Sequence, residues 1–115
     1  MTQEKLREYI LTFADAEEYN PFDDTGPIYR HKSNGRWFGF FAQLSGKTCI
    51  ILKCEPLEAD FLRQTYRGIT PGWHMNKQHW NTVELSSDVP SEEIEKMVQM
   101  SFHLTAPKVR RKRCE

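Results

Sequence analysis

The side chains best suited to chemistry crowd into one stretch of this 115-residue chain, "TPGWHMNKQHWNTVEL" at residues 70–85. It holds Trp73 and Trp80, His74 and His79, Lys77, and amides including Asn76. Imidazoles can ligate metals or move protons, a lysine can meet an anion, and amides can read a polar ligand. The histidine spacing argues against a metal: His74 and His79 lie five apart, whereas two ligands on one helix turn lie four apart. His31 and His103 are too remote in sequence to be joined to them by pattern, and Cys49, Cys54 and Cys114 form no C-x-x-C pair. No metal and no small-molecule cofactor is expected. Three cysteines also make a disulfide framework a poor reading, so reduced thiols are expected.

Covalent catalysis fares little better. Cys54 stands just before a helix start at Pro56, a position that can lower a thiol's pKa. Its strand parity turns it toward the core instead, where cysteine acts as a small hydrophobe. There is no G-x-S-x-G elbow, Walker loop or G-x-G-x-x-G turn. The chain reads as a binding protein, not an enzyme.

An anionic partner has more support. Lys32 and Arg36 flank Asn34-Gly35, Lys47 follows Ser45-Gly46, and Lys77 sits inside the motif. Basic hairpin tips can rest on a phosphate backbone with salt-dependent, largely sequence-independent affinity. Lys77 would be joined there by His74, Asn76 and His79, the other polar groups of the motif. The total charge of zero conceals blocks: residues 1–27 carry −5, residues 28–83 +5, residues 84–107 −4, and the tail 108–115 +4. Such segregation can steer an anion. The acidic body, −4 over residues 1–107, is unlike that of a strongly basic DNA binder.

The elements that position these groups follow from periodicity. Leu6, Tyr9, Ile10 and Phe13 mark a helix over 2–16, and the Pro- and Gly-punctuated stretch 16–27 reads as loop. Strands follow near 28–32, 36–44 and 48–54, the first pair joined by Asn34-Gly35 as a type I′ turn. Pro56 opens a second helix with Leu57, Phe61, Leu62 and Tyr66 as its buried face. Pro71-Gly72 reads as a type II turn, with Asn76 capping a short turn over Lys77–His79 and Trp80 anchoring it to the sheet. "HWNTVEL" is a further strand, and a last helix runs from about Pro90 to Ala106 with Ile94, Met97, Val98, Ser101 and Leu104 on one face.

Strand runs joined by tight turns imply an α+β two-layer sandwich, a mainly antiparallel sheet with helices on one face. The single domain spans 1–107, followed by the basic tail 108–115. With 38% hydrophobic residues the domain can bury a core unaided. Alternation leaves Trp37, Phe41, Ile51, Lys53, Trp80 and Thr82 on the open face. Three uses compete for it: cover by a loop, an interface with a protein or a second copy, and a stacking platform for nucleic-acid bases. No apolar run is long enough to span a membrane and no basic-then-apolar leader is visible, so the cytoplasm is the expected compartment.

Pro71-Gly72, His74, Asn76-Lys77, His79-Trp80-Asn81-Thr82 and Leu52-Lys53-Cys54, at these spacings, resemble the MmcQ/YjbR family of small bacterial proteins. The resemblance runs from about Phe38 to the end of the last helix. It implies the order α-β-β-β-α-β-β-α, similar to secretion chaperones, with a short extra strand near 69–75. It also implies DNA binding of a "double-wing" type, and it transfers no catalytic residue. DNA is the leading partner and a protein-interaction or chaperone-like use of the aromatic face the alternative.

Overall fold

A computed structural model describes residues 1–21 and 26–107. Three helices, α1 (Gln3–Ile10), α2 (Pro56–Thr65) and α3 (Ser91–Thr105), cover one face of a sheet. Its strands are β1 (Ala16–Tyr19), β2 (Ile28–His31), β3 (Trp37–Leu44), β4 (Lys47–Lys53), β5 (Ile69–Pro71) and β6 (Trp80–Glu84). Every pairing is antiparallel, in the spatial order β1-β2-β3-β4-β6-β5. This is the expected α+β two-layer architecture, with β1 added at one edge. Among the described residues no helix is long and apolar enough to cross a membrane.

The first helix ends early. Thr2 caps it by accepting from the Lys5 amide at 3.1 Å, and Leu6 and Ile10 are its buried stripe. Turns at Phe13 and Ala16 then reverse the chain into β1, where a loop was expected. Sequence "AEEY" has weak strand propensity, so its pairing with β2 decides its conformation. Arg30 joins the two strands, bonding Glu17 at 2.8 Å while its guanidinium lies 3.7 Å over the Tyr19 ring.

A bulge in β3 overturns the simple alternation. Gly39 pairs with Tyr29, but Trp37, not Phe38, pairs with Arg30. The extra residue leaves Phe38 on the helix side together with Phe41, while Trp37 and Phe40 share the open side. Phe41, expected on the open face, is thus 3% exposed in the main core, in edge-to-face contact with Tyr29. Open-face apolar packing comes from Ile28, Phe40, Ile51 and Trp80, with Trp37, Ala42 and Met75 against them.

The turns exchange roles. Ser45 and Gly46 both have positive φ, 52° and 78°, as a type I′ hairpin turn requires. At Asn34-Gly35 only Gly35 does, and Gly35 N–H bonds back to the His31 carbonyl at 2.9 Å, making a longer loop rather than the expected turn. Gly72 has no positive φ, so Pro71-Gly72 is not a type II turn. Glycine is needed there for room: a Cβ would lie 2.5 Å from Trp80 Cβ.

α2 is rotated from the expected face. Ala59 and Leu62 are buried, whereas Leu57 is 89% and Phe61 61% exposed. Its orientation is fixed by polar bonds to β6: Arg63 Nε donates to Asn81 Oδ1 at 2.7 Å and Asn81 Nδ2 to the Ala59 carbonyl at 3.4 Å. α3 buries Ile94, Met97, Val98 and Ser101 as expected, with Leu104 half-buried.

Candidate functional site

Residues 72–79 form a loop sealed mainly by its own polar groups. The Gly72 amide donates to the Trp80 carbonyl at 2.8 Å, and the Trp73 amide to Thr82 Oγ1 at 2.9 Å. Asn76 Oδ1 accepts from the Gln78 and His79 amides at 2.8 and 3.2 Å, the expected cap. The Lys77 ammonium donates to the Gly72 carbonyl, and the Arg63 guanidinium to the Lys77 carbonyl. Lys77 and Asn76 therefore hold the loop's shape, and His79 joins through its main chain, which accepts from the Cys54 amide at 2.7 Å. Trp80 is buried in β6 and anchors the loop, as expected.

His74 differs. It has φ +62°, unusual for a residue with a Cβ, and its ring packs edge-on to Trp73 at 4.0 Å. The turn of chain through Trp73, His74 and Met75 stands as a wall over the open face. Between wall and sheet lies a cleft of about 620 Å³ whose floor is Trp37, Phe40, Ile28 and Ala42. Gln3, Gly26 and Gln43 form its rim, and among the described residues no charged side chain lines it. Phe40 and Met75 were not singled out from sequence, and Trp73 was noted in the motif without a place on the open face. Phe40 was hidden by the bulge, and the wall depends on a loop path that no periodicity encodes.

The basic residues do not converge. Lys32 and Arg36 are exposed on the β2–β3 loop, at the Trp37 end of β3. Lys47 begins β4 at the other end, roughly 23 Å away at ~3.3 Å per residue, and lies 3.7 Å from Glu84.

The β2–β3 loop is instead joined to the end of α3. Asn34 Nδ2 donates to the Thr105 carbonyl at 3.0 Å. Fully buried His31 faces the Phe102 carbonyl at 2.9 Å and Thr105 Oγ1 at 3.0 Å with Nε2, and Asp15 Oδ2 at 2.9 Å with Nδ1. These bonds occupy carbonyls that a helix end leaves without partners. Asp15 also accepts from the Ser33 hydroxyl and amide, and these bonds, with His31, hold its carboxyl below its ordinary value. The tail lysines and arginines from Lys108 onward lie outside the described residues.

Cys54 is buried, its thiol directed at Met100 Sδ at 3.5 Å, and burial pushes its pKa up to about 11. Among the described residues no three of His, Cys, Asp and Glu converge on one point.

The family model YjbR matches residues 11–104. The Bacillus subtilis uncharacterized protein YyaQ is 37% identical over 86 residues, covering 66% of this chain and 72% of its own. The Escherichia coli K12 uncharacterized protein YjbR is 29% identical over 104 residues, 89% of this chain and 85% of its own. Among solved structures, a Pseudomonas syringae protein superposes with a TM-score of 0.85 at 27% identity, over 92% of this chain and 100% of that one. A Deinococcus radiodurans protein with a DUF419 domain does so at 0.80 and 30%, over 90% and 77%.

Proposed function

The chain belongs to the YjbR family, and from that premise we propose that it is a non-enzymatic binding protein that engages duplex DNA at one end of its sheet. The engaging surface is the β2–β3 loop with Lys32 and Arg36, beside the end of α3. The observation that carries this reading is the Asn34–Thr105 bond, which tethers the α3 terminus to that loop. The described chain ends at Pro107, two residues past the tethered Thr105, and the sequence goes on with Lys108, Arg110, Arg111, Lys112 and Arg113. Lys47 is at the far end against Glu84 and Lys77 is engaged by Gly72, so neither belongs to the contact surface.

Each phosphate contact makes affinity fall roughly 3.5-fold between 50 and 200 mM salt. Fluorescence anisotropy of a labelled random-sequence duplex at those two concentrations tests the reading. Lys32→Ala with Arg36→Ala should weaken binding at low salt and reduce the salt-induced loss roughly twelvefold, as two contacts require. Lys47→Ala should leave both quantities unchanged. A chain ending at Ala106 should bind more weakly while keeping sensitivity to the loop pair. No salt-dependent binding by the full chain, or a loop pair without effect, would overturn the DNA reading.

A further inference from the structure

The cleft on the open face has no part in that reading, and its chemistry points to a different occupant. Its volume, about 620 Å³, falls in the 300–1,000 Å³ range of small-molecule sites. Two indoles and a phenyl ring, from Trp37, Trp73 and Phe40, supply π-faces, and Trp37 and Phe40 lie edge to face at 6.1 Å. Among the described residues no carboxylate, ammonium or guanidinium lines it, so a charged ligand group seated deep in it would lose hydration without a counter-charge from them. The polar groups present, His74, Gln43 and Gln3, sit on the wall and rim, where they can orient a ligand by hydrogen bonding. Gln43 spends its Nε2 on Thr48 Oγ1 at 2.8 Å, which leaves its carbonyl as an acceptor.

A peptide segment fits less well. An extended peptide on a sheet gains affinity by pairing its main chain with a free edge. Phe40, at the centre of the floor, is already flanked by Ile28 of β2 and Ile51 of β4. A peptide there would bury amide groups against a floor with no main-chain partner to offer, whereas a compact ring system carries no such groups. The left-handed backbone at His74 is a second pointer, because non-glycine residues in that conformation cluster at ligand sites.

We propose that this cleft is a binding site for a neutral, planar, mainly aromatic small molecule, stacked between the Trp37–Phe40 floor and the Trp73–His74–Met75 wall. The probe is Nile red, a neutral planar dye whose emission brightens and shifts to the blue in apolar surroundings. The folded chain should bind it saturably at one site, with the indole N–H resonances of Trp37 and Trp73 moving along the same titration. Ala42→Trp, which fills the floor, and Met75→Lys, which charges the wall, should each weaken binding at least tenfold while the far-ultraviolet circular dichroism stays unchanged. Should Ala42→Trp fail to fold, Met75→Lys carries the test, since its side chain is on a surface loop. Leu57→Ser with Phe61→Ser, removing the two most exposed large apolar side chains among the described residues, should leave binding intact. Absence of saturable binding, or loss through the α2 pair but not through Met75→Lys, would overturn the proposal.

Discussion

Cys54 shows how burial overrules a favourable sequence position. It precedes a helix start, where a thiolate could be stabilised, yet desolvation drives its thiol to about 11. Cys49 is raised for the same reason. In a Cys114→Ser variant at pH 8, both thiols should react with a disulfide reagent at least about tenfold slower than a free peptide thiol. The slow phase should vanish in denaturant, and fast native labelling would show that the thiols are accessible. Much of the 70–82 motif is explained in the same way, by what each group touches. Asn76 and Trp80 were legible from sequence, because an amide before a short turn and an indole beginning a strand have few other uses. Lys77 was not: an exposed position suggests an anion, and only the folded loop brings the Gly72 carbonyl to its ammonium.

Elements were legible wherever local rules and tertiary pairing agree, and not where pairing overrides them. β2, β3, β4, β6 and α3 lie within a residue or two of the expected ranges, because long apolar alternation and a strong proline start admit one reading. β1 was missed, since "AEEY" becomes a strand only by pairing with β2. The β3 bulge was invisible as well, and one inserted residue exchanged Phe41 for Phe40 on the open face. The two Gly-containing turns make a test at this scale. Ser45 sits at φ +52°, a conformation asparagine tolerates better than serine. Ser45→Asn should therefore raise stability by a few tenths to about 1 kcal/mol in urea unfolding. Asn34→Ser should lower it by about 1 kcal/mol, because it removes the bond to Thr105. The reverse ranking would mean that the type I′ geometry is at 34–35 after all.

On the scale of the molecule, two carboxylates fasten segments that are distant in sequence. Asp15, between α1 and β1, accepts from Ser33 and faces His31, and so ties the start of the domain to the β2–β3 loop. Asp88, before α3, accepts the Arg67 and Gly68 amides at 2.8 and 2.9 Å, and so ties the approach to α3 to the chain leaving α2. Both are held below the ordinary aspartate value, Asp15 first by the Ser33 hydroxyl and Asp88 first by the Arg67 amide. A carboxylate depressed in the folded state contributes stability that is fully present above its unfolded pKa. That contribution is lost as pH falls through the folded value. The window therefore opens near pH 3.8 and extends downward. The urea midpoint should be nearly level from pH 7 to 5 and should fall below about pH 4. Asp15→Asn with Asp88→Asn should lower the midpoint at pH 7, because the charge-assisted bonds weaken, and should flatten the acid limb. Lys96→Gln, which removes a surface pair with Glu93, should change neither. An acid limb as steep in the double variant as in the parent would assign the acid sensitivity to other carboxylates.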